Sequence, residues 1–101
     1  MIYQYAVESH LQSHNLDPAD IILAIPVDPE TNLLNTDTIV SALQAHAATA
    51  SFVLRSAVQF HTGQLLDIPR ITTYAHEKGI LVGWDLVHSA GNVRLKLHEW
   101  T

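Results

Sequence analysis

Apolar residues along the chain follow two kinds of pattern. At Tyr5–Leu16 (YAVESHLQSHNL), Ala6, Val7 and Leu11 recur near helical spacing, and Asn15 followed by Asp17-Pro18 predicts where that helix stops. Thr36–Ala48 (TDTIVSALQAHAA) has one apolar face of Ile39, Val40, Leu43 and Ala47. There Thr36 is placed to cap the first turn, and Asp37 suits the positive end of the helix dipole. A third helix is predicted over Pro69–Lys78: proline at the first position, a stripe of Ile71, Tyr74 and Ala75, and a Lys78-Gly79 stop. The second pattern is contiguous rather than periodic. Ser51–Ser56 (SFVLRS) and Ile80–Trp84 (ILVGW) suit strands covered on both faces, as in a parallel sheet. Ile21–Ile25 (IILAI) predicts a third, short buried strand, with a helical turn as the alternative. Gly63 and Gly91 fall in turns that favour positive φ. No repeat, linker or low-complexity segment interrupts the chain.

Strand Ser51–Ser56, helix Pro69–Lys78 and strand Ile80–Trp84 make a βαβ unit, expected to be parallel and right-handed. The fold class is therefore α/β. In open α/β sheets ligands bind at the carboxyl ends of the strands. Ser56 ends the first strand and Asp85 follows the second, so these two residues, 29 apart in sequence, can share one crevice. His88 lies on the same edge.

Composition narrows the possibilities. A chain of 101 residues is one domain or less. Five basic against ten acidic side chains, a formal charge of −5, argue against nucleic acid as a partner. Only 15% of residues are charged and 48% are hydrophobic, although a short chain has much surface to solvate. Such a balance is expected of a piece of something larger or of a heavily covered protomer. Cysteine is absent, which excludes thiolate nucleophiles and cysteine-ligated metals. No apolar run reaches the roughly 18 residues of a membrane span, and the N-terminus lacks the basic and apolar regions of a signal peptide. A cytoplasmic setting is the default expectation.

Each candidate residue has two readings. Asp85, after an apolar strand, either holds a cationic ring nitrogen or a metal, or caps the turn that follows. Ser56 either donates to a phosphate or satisfies a local backbone group. His88 either meets a bound ring or is held by a backbone carbonyl. His10 and His14, four residues apart on a predicted helix, can both meet one metal. However, no third ligand has diagnostic spacing and the H-E-x-x-H order is missing, so no metal centre is expected. Neither phosphate-loop nor dinucleotide-binding glycine pattern occurs. Lys78 and Lys96 are the only lysines. Neither stands at a strand end near Asp85, and no catalytic residue is assigned.

The stretches SAVQFHTGQLLDIP and GILVGWDLVHSAGNVRLKLHEW, with YAVESHLQSHNL before them, resemble kynureninase, a pyridoxal-phosphate enzyme of the aspartate aminotransferase type. The specific part is F-x-T-G-Q-x-x-D-I-P together with G-x-D-L-x-H-x-x-G-N-V; Ile21–Ala50 matches only in outline. The resemblance implies that residues 1–101 are an incomplete segment of the large domain of the fold type I architecture, with the βαβ unit at its core. It implies pyridoxal 5'-phosphate as cofactor, Asp85 paired with its pyridine nitrogen, and Ser56 and His88 in its pocket. It further implies hydrolysis of L-kynurenine or 3-hydroxykynurenine to anthranilate or 3-hydroxyanthranilate plus L-alanine, in tryptophan catabolism and the route to NAD. A homodimer is implied for the full-length family.

The family's Schiff-base lysine lies downstream of the motif matched by His98-Glu99-Trp100, and this chain stops at Thr101. The family's Phe-Pro-Ser/Thr-Asp segment is expected before Tyr5, where Tyr3 stands in the place of the acid. The upstream phosphate-binding residues and the downstream small domain are not in the sequence either. The isolated chain is therefore expected to be inactive. The alternative is a non-enzymatic interaction module derived from the same fold. A lyase or desulfurase of the same superfamily shares Asp-x-x-His but does not account for T-G-Q and H-x-x-G-N-V together.

Overall fold

The structure, a computed structural model, describes residues 2–100, with side chains from residue 4 onward. The placement expected for Tyr3 therefore lies outside the described side chains. Six elements follow in order: α1 (Ile2–Ser13), α2 (Pro18–Ile21), α3 (Thr36–Ala45), β1 (Phe52–Ser56), α4 (Ile68–Glu77) and β2 (Leu81–Asp85).

The predicted βαβ unit is present. β1 and β2 pair in parallel, in a register running from Phe52 opposite Leu81 to Ser56 opposite Asp85. The crossover helix α4 begins where Asp67 accepts from the Arg70 amide at 3.1 Å, with Pro69 in the first turn. It closes at Gly79, whose φ of 73° lets its amide bond to the His76 carbonyl and the Ile80 amide reach back to the Ala75 carbonyl. That closure delivers Ile80, 1% exposed, into the core just before β2.

α3 and α4 pack together, and α4 packs on β2. Leu34, Ile39, Leu43, Val53, Leu66, Ile71, Ala75 and Ile80 form the buried cluster, with Val82, Trp84 and Tyr74 against it. Side chains alternate along a strand, so Val53, Val82 and Trp84 turn toward α4. Phe52, Leu54 and Leu81 face the other way and are 57%, 41% and 69% exposed. The expectation of strands covered on both faces is thus met on one face only. The residues at the carboxyl ends, Ser56 and Asp85, share the alternation of the uncovered face.

The remaining expectations shift in informative ways. Ile21–Ile25 is not a strand. Asp17 accepts from the Ala19 amide at 3.0 Å and Pro18 occupies the first turn, so Ile21 is drawn into α2. Residues 22–28 then run without a sheet partner among the described residues, and only Ile25 packs on the core. α1 begins and ends earlier than predicted. Its end is built by Asn15 in the left-handed region (φ 58°), with the Asn15 and Leu16 amides bonded to the Gln12 and Leu11 carbonyls. α3 stops at Ala45 rather than Ala48, and its cap is Asn35, not Thr36: the Asn35 side chain accepts from the Asp37 amide at 2.7 Å. Gly63 and Gly91 have the positive φ expected of them.

Candidate functional site

The register of the sheet places Ser56 and Asp85 directly opposite each other at the carboxyl ends of β1 and β2. The next residue of the chain after β1, Ala57, donates its amide to the Asp85 carbonyl at 3.0 Å, so pairing continues one step beyond the strands. Both side chains are half-buried. Asp85 Oδ1 accepts from the Val87 amide at 2.9 Å. This is the turn-capping role. It also fixes the rotation of the carboxylate on the strand end.

The turn after Asp85 carries His88. Its backbone is held by the Ser89 and Ala90 amides, both bonded to the Leu86 carbonyl, and by Asn92 Nδ2, which donates to the His88 carbonyl at 3.1 Å. The His88 side chain is exposed. Its ring stacks on Phe60, with centroids 5.9 Å apart and planes 29° apart, and Phe60 in turn lies 3.9 Å from the His61 ring. The local reading, a partly buried histidine held by a backbone carbonyl, does not match: the exposed ring rests on Phe60, and it is the His88 carbonyl that accepts, from Asn92. Beside it Ser89 is fully buried, and its hydroxyl has no hydrogen-bond partner.

Phe60 reaches this edge on a braced loop. Val58 and Leu65 form an antiparallel bridge, the Gln59 amide bonds to the Gln64 carbonyl, and the Gly63 amide bonds to the Gln59 carbonyl at 2.7 Å. The Gln64 side chain then docks the loop on the body of the protein. It accepts from the Leu34 amide at 2.9 Å and donates to the Leu34 carbonyl at 2.8 Å. Reasoning from residue types singled out neither Phe60 nor Gln64 for a structural role. The motif F-x-T-G-Q marked both, but a partner thirty positions away leaves no local signal.

Lys78 follows α4, at the opposite end of β2, with its amine 5.5 Å from the centroid of the Tyr74 ring. Lys96 pairs with Glu99 at 3.1 Å. Among the described residues no cluster of three or more His, Asp or Glu side chains could hold a metal, and no helix is long and apolar enough to cross a membrane. A strand-end carboxylate, a hydroxyl opposite it and an imidazole backed by an aromatic ring suit the nitrogen edge and face of a cationic heteroaromatic ring. The donor set therefore fits the ring end of pyridoxal phosphate.

The chain is 50% identical to kynureninase 1 of Aspergillus oryzae over 97 residues, which is 95% of this chain. It is 52% identical to kynureninase 1 of Emericella nidulans and 46% identical to the kynureninase of Coccidioides immitis over matches of the same length. It spans about 20% of the length of these relatives. No family model matches the chain.

Proposed function

We propose that this chain, similar to fungal kynureninases over 95% of its length, is a segment of the cofactor-binding large domain of a kynureninase of fold type I. The observation that carries the reading is the opposition of Ser56 and Asp85 at the carboxyl ends of two parallel strands, with His88 on the turn that follows. Whole, such a protein hydrolyses L-kynurenine or 3-hydroxykynurenine at the side-chain carbonyl. The products are anthranilate or 3-hydroxyanthranilate and L-alanine, in cytoplasmic tryptophan catabolism leading toward NAD, and the protein acts as a homodimer.

Pyridoxal phosphate, when bound, supplies an electron-accepting ring to the substrate's reacting carbons. The residues of this chain prepare that ring. Asp85 holds the proton on the pyridine nitrogen, since a carboxylate beside the nitrogen favours its charged form. Ser56 donates its hydroxyl to the cofactor from the opposite strand. His88, kept in place by the Asn92 bond and the Phe60 stack, bounds the ring on the turn side. Neither Lys78, at the far end of β2, nor Lys96, paired with Glu99, matches the family's Schiff-base lysine, and the 101-residue chain alone is expected to be inactive.

The test is a chimera in which this chain replaces the matching 97 residues of the Aspergillus oryzae enzyme. Kynurenine hydrolysis, followed by anthranilate fluorescence, is expected to survive the exchange and to fall sharply with Asp85→Asn. A folded chimera without hydrolysis, or one indifferent to Asp85→Asn, refutes the reading. Hydrolysis by the isolated chain would overturn the claim that it is inactive.

A further inference from the structure

Two imidazoles at the end of α1 play no part in the site above. His10 lies in the last turn of the helix, and His14 lies just past its final residue, Ser13. Both side chains are exposed. Their rings meet edge to face with centroids 4.7 Å apart and planes at 66°. The turn that carries them is well defined. Ser13 Oγ donates to the His10 carbonyl at 2.7 Å. The Asn15 and Leu16 amides close the helix end on the Gln12 and Leu11 carbonyls, each at 3.0 Å.

We propose that His10 and His14 form an open, two-imidazole chelating site for a late first-row divalent cation of the nickel, copper or zinc class, with water completing the coordination. Imidazole nitrogen is a preferred donor for these ions. Metal–nitrogen bonds of about 2.0–2.1 Å require the two coordinating nitrogens to stand roughly 3 Å apart. Side chains at i and i+4 share one helical face, and the two ring centroids already stand 4.7 Å apart. Among the described residues no third ligand gathers there, so the site differs from a closed structural centre. Its affinity comes from chelation: once one imidazole binds, the second is present at a high effective concentration. A bound ion ties the residue after the helix to its last turn and so stabilises the end of α1. This inference is independent of the kynureninase reading.

The experiment is a titration of the 101-residue chain with Ni²⁺, followed by amide NMR, in which the paramagnetic ion broadens nearby signals. Broadening is expected to begin at residues 10–16 below one equivalent. The affinity is expected to fall about tenfold or more in His10→Ala and in His14→Ala alike, and to stay unchanged in His46→Ala. His10→Gln and His14→Gln, which retain a polar helix-forming side chain, are expected to lose affinity equally. Broadening spread evenly over the other histidines, or single variants that bind as tightly as the parent chain, overturns the proposal.

Discussion

Removing the Gln64 side chain tests how the aromatic edge is held. Its amide makes two hydrogen bonds to the main chain of Leu34, at 2.9 and 2.8 Å. Leu34 is itself 3% exposed and a member of the core. In Gln64→Ala both Leu34 groups lose their partner at a half-buried site. A lost net hydrogen bond costs about 0.5–1.5 kcal/mol, and a buried group left unsatisfied about 1–3 kcal/mol. Two bonds, with some access for water, place the loss at about 2–3 kcal/mol. Gln64→Glu discriminates further: the carboxylate can still accept from the Leu34 amide but faces the Leu34 carbonyl with an oxygen in place of a donor. It is expected to destabilise as much as alanine or more. The assay is urea unfolding followed by tryptophan fluorescence, with the slope of free energy on urea unchanged. A shift of less than about 0.5 kcal/mol, the range of an ordinary surface change, would refute the clamp and leave Gln64 as a mere neighbour of the loop.

Three further outcomes follow from the core and its turns. Ile71→Ala, at a fully buried position on the inner face of α4, is expected to cost about 2–5 kcal/mol, read by the same unfolding curve. Gly79→Ala forces a Cβ into the left-handed region at φ 73° with open space around it. It should cost about 1–2 kcal/mol through conformation alone, seen as a lower melting temperature without a change in the core. Trp84→Phe removes the indole N–H that donates to the Thr72 hydroxyl at 2.9 Å. A loss near 1 kcal/mol is expected, and Thr72→Val combined with Trp84→Phe should add little to it; an additive double mutant refutes the coupling.

The βαβ unit was legible because its signals are local and agree with one another. Contiguous apolar strands, Pro69 in the first turn of α4 and Lys78-Gly79 at its end all point to the same geometry, and the parallel register then brings Ser56 opposite Asp85 without further information. Ile21–Ile25 was not legible, because apolarity alone does not separate a strand from a helical turn. The Asp17 cap and Pro18 decide the matter, by starting a helix that takes in Ile21. Thr36 and Asn35 are both good caps, and the choice between them depends on which side chain reaches an amide two residues on. Phe60 against His88 and Gln64 against Leu34 are contacts between distant segments, and neither leaves a periodic trace. The low charge, by contrast, has a location: part of it corresponds to the open face of Phe52, Leu54 and Leu81, which ends at Ser56 and Asp85.

Turn cap and partner of a cationic ring make different demands on Asp85, an acceptor oxygen for one and a charge for the other, and this separates their tests. Oδ1 accepts from the Val87 amide, which is a contact that needs an oxygen acceptor and not a charge. Asparagine has an amide oxygen that can make the same turn bond but carries no charge. Alanine has neither. Asp85→Asn, which keeps the turn bond, is therefore expected to cost less stability than Asp85→Ala, which also loses a cap worth about 1 kcal/mol. Activity in the chimera should order differently. A hydrogen bond to a charged partner is worth about 1.5–3 kcal/mol, or roughly 10- to 150-fold in rate, and both variants lose it. If Asn retained activity while Ala did not, the turn alone would be the contribution of Asp85, and its pairing with the ring nitrogen would be wrong. Equal loss of activity with unequal loss of stability is the result that only the charge can produce.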